Sequence, residues 1–302
     1  MKRPLKRKLG SVIALIIFVV TACIYISKEY DKIFDFTPAQ SPTVEGSCSV
    51  SFFDVGQGDS ALISCGGVNV LIDAGENNKG DDVLLKLSEL GVEQLDYVIA
   101  THAHSDHIGG LDTVINGIEV KNIIISDLPD KMVPNTKTYS DLVDAIIENE
   151  VNVIAAKAGE AYDIGEGKLT VLSPTTDEYK DHNEWSVMTR FDFGKTSFLF
   201  TGDAEKKVED DLLDLGTNLS ATLLKAGHHG SDTSSSQRFL DAVNPDFVVV
   251  SVGEGNSYGH PHAEALSRFA NLGAEVYRTD ISGDITAVSD GEKITITCEG
   301  ER

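Results

Sequence analysis

The amino-acid sequence predicts an α/β protein. Two patterns lead there: short apolar runs bounded by Gly and Asp, and amphipathic stretches of helical period that alternate with them from residue 48 onward. A four-layer α/β/β/α sandwich, two sheets packed face to face with helices outside, would bury this many strands and leave loops along one edge for a site. Periodicity alone permits other α/β arrangements, so the choice rests on motifs.

In chain order, strands are predicted near 49–54, 60–64 and 68–73. A helix over 81–90 follows, stopped by Gly91, then a strand over 96–101 that runs into a polar loop and a Gly pair opening the next helix. A helix over 137–150 precedes strands at 151–155 and 168–172. The alternation Ser, Val, Met, Thr, Arg, Phe, Asp, Phe of 186–193 suits a half-exposed strand, with Gly194-Lys195 as the hairpin turn into a strand over 196–201. A helix over 204–215 ends at Gly216, a strand spans 220–225, a helix 234–243 and a strand 247–252. A helix over 261–272 stopped by Gly273 and a strand over 283–288 complete the series.

Ahead of this body lie Lys2, Arg3, Lys6, Arg7 and Lys8, then an uncharged apolar run over 9–26, about long enough to cross a bilayer. The basic flank predicts a cytoplasmic N-terminus and a body on the outer face, anchored to the membrane or secreted. An uncleaved anchor, a cleaved signal peptide and a lipoprotein all fit, the last because Val20-Thr21-Ala22 precedes Cys23; Ile24, Tyr25 and Ile26 prolong the run and favour the anchor. Residues 28–47 read as a spacer, giving a signal segment 1–27, a linker 28–47 and one folded domain 48–302. The formal charge is -23, and because five of the 25 basic residues fall in the first eight positions, 20 face 48 acidic ones beyond them, a body near -28. Such a body repels long polyanions and argues against broad electrostatic capture of nucleic acid, although a bound metal could override this locally. Of the cysteines in the body, Cys48, Cys65 and Cys298, none has metal-type spacing. Cys48 and Cys65 flank the predicted first hairpin, so a disulfide between them is expected.

The chemistry is concentrated in a few loops. After the apolar strand, Val98 to Gly110 reads VIATHAHSDHIGG, with four metal-type ligands in six residues. Side chains two apart on an extended segment point the same way, so His102 and His104 can share one ion while Asp106 and His107 face a second. Asp203, in TSFLFTGDAE, ends another strand and could bridge both ions; the competing role is a helix N-cap. ATLLKAGHHGS delivers His228 and His229, one of which can bind metal while its neighbour meets substrate. Asp73 and Asp59 are acidic residues at strand ends, for which turn and capping roles compete.

The set DVGQGDS, LIDAG, THAHSDHIGG, FTGDAE, KAGHHGS and GHPH, in this order over 54–262, resembles the metallo-β-lactamase superfamily. More narrowly, it is similar to the C-terminal domain of the ComEC competence proteins and their stand-alone exported relatives, phosphorylcholine esterases among them. The resemblance implies the four-layer sandwich, with His102, His104, Asp106, His107 and Asp203 as metal ligands and one of His228 and His229 as the last. A ligand that many members carry before the strand at 187–193 has no clear equivalent: His182 stands at the corresponding distance, and Asn183 beside it is the residue type this branch tends to have. ComEC itself has a multi-pass channel, so a chain with one apolar segment is not expected to conduct DNA.

The expected activity is hydrolysis of phosphoesters or phosphodiesters by two divalent ions, Zn²⁺ or Mn²⁺, that activate a bridging water. Asp106 belongs to both the metal and the catalytic set. His228 is taken as the ligand of its pair, with His229 and His260 acting on substrate or leaving group, while Asp73 orients a ligand imidazole and His262 is structural. The expected substrate is an anionic phosphoester, nucleic acid or a phosphorylated surface polymer; a β-lactam or thioester hydrolase and a metal-stabilised binding module without turnover are the alternatives.

Overall fold

The computed structural model describes residues 46–300. The expected membrane or signal segment and nearly all of the spacer lie outside them; among the described residues no helix is long and apolar enough to cross a membrane.

Fifteen strands among the described residues form two sheets. The first contains β1 (Cys48–Phe52), β2 (Ala61–Cys65), β3 (Val68–Ile72), β4 (Gln94–Ala100), β5 (Glu119–Ile125), β6 (Asn152–Ala155), β14 (Ile285–Ser289) and β15 (Ile294–Cys298), in the order β15-β14-β1-β2-β3-β4-β5-β6. The second has the order β13-β12-β11-β10-β9-β8-β7, from β7 (Ala161–Ile164), β8 (Gly167–Val171), β9 (Thr189–Phe193), β10 (Thr196–Phe200), β11 (Leu223–Lys225), β12 (Phe247–Val250) and β13 (Glu275–Arg278). Hairpins build one side of each sheet, and parallel pairings from β3 to β6 and from β10 to β13 build the other.

The period of two along each strand turns these sheets into four layers. In β4, Ile99 faces the core between the sheets, while Val98 and Ala100 face the outer side. In β10, Phe198 and Phe200 enter that same inter-sheet core and Leu199 faces the opposite outer side. Helices then cover the outer faces. On the first sheet, α1 (Gly80–Glu89), α3 (Leu111–Gly117) and α4 (Lys137–Glu148) contribute Val83, Leu87, Val114, Leu142 and Ile146; the short α2 (Ser105–Ile108) adds Ile108. On the second, α5 (Lys206–Asp214), α6 (Gln237–Val243) and α7 (Ala263–Leu272) contribute Val208, Leu212, Phe239, Leu240 and Phe269. A short α8 (Thr279–Ser282) follows β13.

Most predicted elements are present with ends shifted by a few residues. Gly194-Lys195 makes the two-residue turn that pairs Phe193 with Thr196, and the half-exposed strand it closes has Thr189, Phe191 and Phe193 buried with Arg190 and Asp192 paired outside at 2.7 Å. Helix α6 starts three residues later than predicted because Ser236 caps it, accepting from Phe239 N. Four strands go beyond the sequence reading. β7, β13 and β15 are sheet edges whose outer positions are polar, which weakens the alternation; β5 is internal, with the run Ile123-Ile124-Ile125 mostly buried.

In the first hairpin Cys48 lies opposite Cys65, with Cα atoms 4.4 Å apart, and the two form a disulfide. Alkylation followed by peptide mapping should label exposed Cys298 at once and Cys48 and Cys65 only after reduction. Changing both to Ala should cost about 2–4 kcal/mol of unfolding free energy, read from denaturant melts.

Candidate metal centre

The loops that follow the carboxyl ends of β3, β4, β10, β11 and β12 meet along one edge of the sandwich, where loops of parallel strands characteristically gather ligands. Close backbone packing makes this possible. A Cβ on Gly58 would come 2.3 Å from Asp106 O, and one on Gly109 would come 2.3 Å from Asn77 N. Only glycine lets the β1–β2 loop and the start of α2 press together, and Asp59 N then donates to Asp106 O at 3.1 Å.

Asp203 stands in the middle of the cluster, 2% exposed. Its Oδ1 lies 3.2 Å from His107 Nε2, and its Oδ2 lies 3.8 Å from His102 Nε2, 3.6 Å from His228 Nε2 and 3.7 Å from His229 Nε2. It therefore faces two sets of imidazoles at once. The N-cap role is not its function here, since α5 begins after Glu205. His102 and His104 lie together, Nε2 to Nδ1 at 3.0 Å, and the His182 ring stands edge-on to His104 at 5.7 Å. Asp106 is drawn toward His229, Oδ2 to Nε2 at 3.3 Å. Asp73, fully buried, receives Thr101 N at 2.9 Å and Thr101 Oγ1 at 2.6 Å and pairs with His107 Nδ1 at 2.8 Å, which fixes that imidazole with Nε2 turned inward.

One group of four, Asp59, His107, Asp203 and His229, offers ligand atoms all within 4.8 Å of one another. His107 Nε2, Asp203 Oδ1 and His229 Nε2 are buried without a hydrogen-bond partner. Burying such atoms is costly unless something else satisfies them. The charges are gathered here too: Asp59 pairs with the ammonium of Lys225, while Asp73, Asp106 and Asp203 lie against imidazoles. Burial opposes charge on His107, yet Asp203 and Asp73 hold its pKa well above the ordinary imidazole range. Burial likewise opposes charge on His229, but Asp203, Asp106 and Asp59 push it up to about 9. Burial and the His107 charge drive His102 the other way, well below that range. A donor set of imidazoles and carboxylates fits divalent ions.

Of the doublet at 228 and 229, it is His229 that joins the group of four; His228 is partly exposed at its rim, its Nδ1 3.3 Å from Glu205 Oε1. Both residues have left-handed backbones, φ 47° and φ 52°, which is how consecutive side chains reach one site. His260 approaches His228 with ring centroids 5.4 Å apart, and its Nδ1 is buried without a partner. Burial and the neighbouring His228, His229 and His262 lower its pKa to about 4, so it is neutral at neutral pH. His262 precedes α7 and pairs with Asp232 at 3.1 Å. At the remaining position His182 Nδ1 and Asn183 Oδ1 are both buried without partners. The pair Asp59–Lys225 goes beyond the expected site. Lys225 gives no ligand signal in sequence, and only its place at the end of a buried strand before Gly-His-His points to it.

Residues 53–254 match the family described as the metallo-beta-lactamase superfamily. ComE operon protein 3 of Bacillus subtilis (strain 168) is 31% identical over 81% of this chain and 33% of its own length. The competence protein ComA of Neisseria gonorrhoeae is 31% identical over 79% of this chain and 32% of its own. The chain thus spans about a third of the length of these relatives. Among solved structures, CmlA, a diiron beta-hydroxylase from Streptomyces venezuelae, is similar with a TM-score of 0.52 at 15% identity, covering 79% of this chain and 53% of that one. YhfI of Bacillus subtilis, a metallo-beta-lactamase fold protein, gives 0.51 at 16% identity over 83% of this chain and 100% of its own. At such identities the two structures speak for the fold, and the family match together with the two-sheet architecture makes this chain a member of the metallo-β-lactamase superfamily.

Proposed function

We propose that the chain is a hydrolase that holds two divalent ions and cleaves phosphoester or phosphodiester bonds outside the cytoplasm. The observation that carries the metal reading is Asp203, with one carboxylate oxygen toward His107 and the other toward His102, His228 and His229. On this reading His102, His104 and one of His182 and Asn183 hold the first ion, Asp106, His107 and His229 the second, and Asp203 both. Bound ions would supply Lewis acidity and an activated water. The protein's own part is to orient the imidazoles, through Asp73 in the case of His107, and to present His228 and His260 to the substrate.

This assignment exchanges the roles expected for the His doublet, because the buried His229 lies against Asp106 and Asp203 whereas His228 is partly exposed. Elemental analysis should give two ions per chain under excess Zn²⁺ or Mn²⁺, and fewer after Asp203→Ala or His229→Ala. His228→Ala and His260→Ala should keep the metal and lower turnover about 10²-fold or more. A stoichiometry fixed at one, or an Asp203→Ala variant with unchanged occupancy and rate, would contradict the bridged pair.

Phosphoester chemistry is supported by the donors gathered around the cluster, His228 and His260, which suit a tetrahedral anionic centre better than an acyl group. One relative named a competence protein and another named a recombination protein support including nucleic acid among the substrates. With a net charge of -23, the chain should cut small diesters or short single strands faster than long duplex DNA. A screen of the metal-loaded chain against bis-aryl phosphates, single-stranded DNA, phosphorylcholine esters and a β-lactam decides it; efficient β-lactam opening with every phosphoester intact would overturn the assignment.

The outer location is supported by the basic flank of the apolar run and by the Cys48–Cys65 disulfide, a bond that persists in oxidising compartments. Protease added to intact cells should digest the domain, and protection until the membrane is breached would refute this topology.

A further inference from the structure

Behind the metal cluster lies a buried ion pair that metal binding alone does not require. Lys225 ends β11 at 3% exposed; its Nζ sits 2.8 Å from Asp59 Oδ2 and donates to Ala226 O at 2.8 Å. An ammonium so far from water needs such partners. Asp59 comes from the loop joining β1 and β2, in one sheet, and Lys225 from the interior of the other, so the pair ties the two sheets together at the edge that carries the site. The second oxygen, Asp59 Oδ1, lies 3.2 Å from His229 Nδ1, whose proton goes to Ser251 O at 3.0 Å. The opposite ring nitrogen then faces Asp106 Oδ2 at 3.3 Å and Asp203 Oδ2 at 3.7 Å.

We propose that Asp59, although it belongs to the compact group of four, is not a metal ligand but forms with Lys225 a positioning pair that holds His229 with Nε2 turned to the ions; this rests on the metal reading above. One Asp59 oxygen is held by the ammonium, and the other, buried without a hydrogen-bond partner of its own, lies beside the ring nitrogen that points away from the centre. Its backbone has no room to advance, since Asp59 N donates to Asp106 O, Gly75 N donates to Asp59 O at 2.9 Å, and Gly58 is packed against Asp106. Asp203 differs in its side chain, because the ion-pair partners of both its oxygens are imidazoles alone.

The test uses the full chain, Zn²⁺ affinity measured by competition with a chelating dye, Zn²⁺ stoichiometry, and thermal unfolding. Lys225→Met strands a buried carboxylate and Asp59→Leu strands a buried ammonium, so each should lower both the melting temperature and Zn²⁺ affinity, the latter by ~10–100-fold, with two ions still bound at saturation. The double variant Asp59→Leu/Lys225→Met removes both charges and should recover most of the melting temperature but not the affinity. Affinity that recovers together with melting temperature would show a merely structural clasp and overturn the proposal. So would saturation at one ion in the double variant, which would make Asp59 a ligand, or affinity unchanged within twofold in the double variant. If the parent chain takes up no Zn²⁺, the metal reading itself has failed; if the parent binds two ions and the double variant matches it, only the positioning role has.

Discussion

Asp203 is a carboxylate almost wholly removed from water, and much of the sandwich's functional edge serves to make that burial tolerable. Moving an unpaired carboxylate into an interior costs several kcal/mol even after relaxation. The fold meets this cost from both sheets: His102 and His107 arrive from the exit of β4, His228 and His229 from the exit of β11. Asp203 itself hangs from β10, held by Ser186 Oγ accepting from its backbone N at 3.1 Å. Neither sheet can assemble this environment alone, so packing of the inter-sheet core and assembly of the site are one event. The apolar alternation in β4 and β10 is therefore a condition of the chemistry as much as of stability.

Once carboxylates and imidazoles are gathered this tightly, their mutual orientation has to be imposed from outside the cluster. Asp73 does this for His107, and Ser251 O together with Asp59 does it for His229. The backbone contributes too. Left-handed conformations at two successive non-glycine residues cost of order 1–3 kcal/mol each and persist only where surroundings over-determine them. Here His228 N donates to Gly202 O at 3.1 Å and Ser231 N to His228 O at 2.8 Å, while a Cβ on Gly230 would come 2.6 Å from Pro261 Cβ. The strained turn is thus clamped between the loop that carries Asp203 and the loop that carries His260, and the three loops hold one another in register.

Much of this was legible in the sequence because the signals were local. His-x-His-x-Asp-His after an apolar run fixes its own geometry: the strand aims the first two imidazoles and the turn into α2 aims the others. The hairpin turn at Gly194-Lys195 and the Cys48–Cys65 pairing were likewise set by two-residue periodicity. What was not legible depends on partners distant in sequence. Asp59 reads as a turn residue until Lys225, from the other sheet, is placed 2.8 Å away. Which member of His228-His229 turns inward is decided by φ values and by Ser251, neither visible in a pattern of adjacent identical residues. Edge strands such as β7 and β13 escaped because their polar outer positions mimic loops, although they only extend a sheet whose centre was already clear.

The acidic surface and the buried centre pull in opposite directions, and their distances decide which matters where. Repulsion from a body of net charge near -28 acts over roughly a Debye length, about 8 Å at physiological ionic strength, and so discourages approach of extended polyanions. Within the cluster, separations are near 3–4 Å and most of the groups are buried, so the sign of the local charge is set by what binds there. Four carboxylates gathered with imidazole ligands suit the site to cations, and with cations in place it would become a site for an anion. Metal loading would therefore precede substrate binding for electrostatic reasons alone, and an entering phosphoester would gain its attraction only over the last few ångströms, where a short or flexible ligand can reach and a stiff duplex cannot.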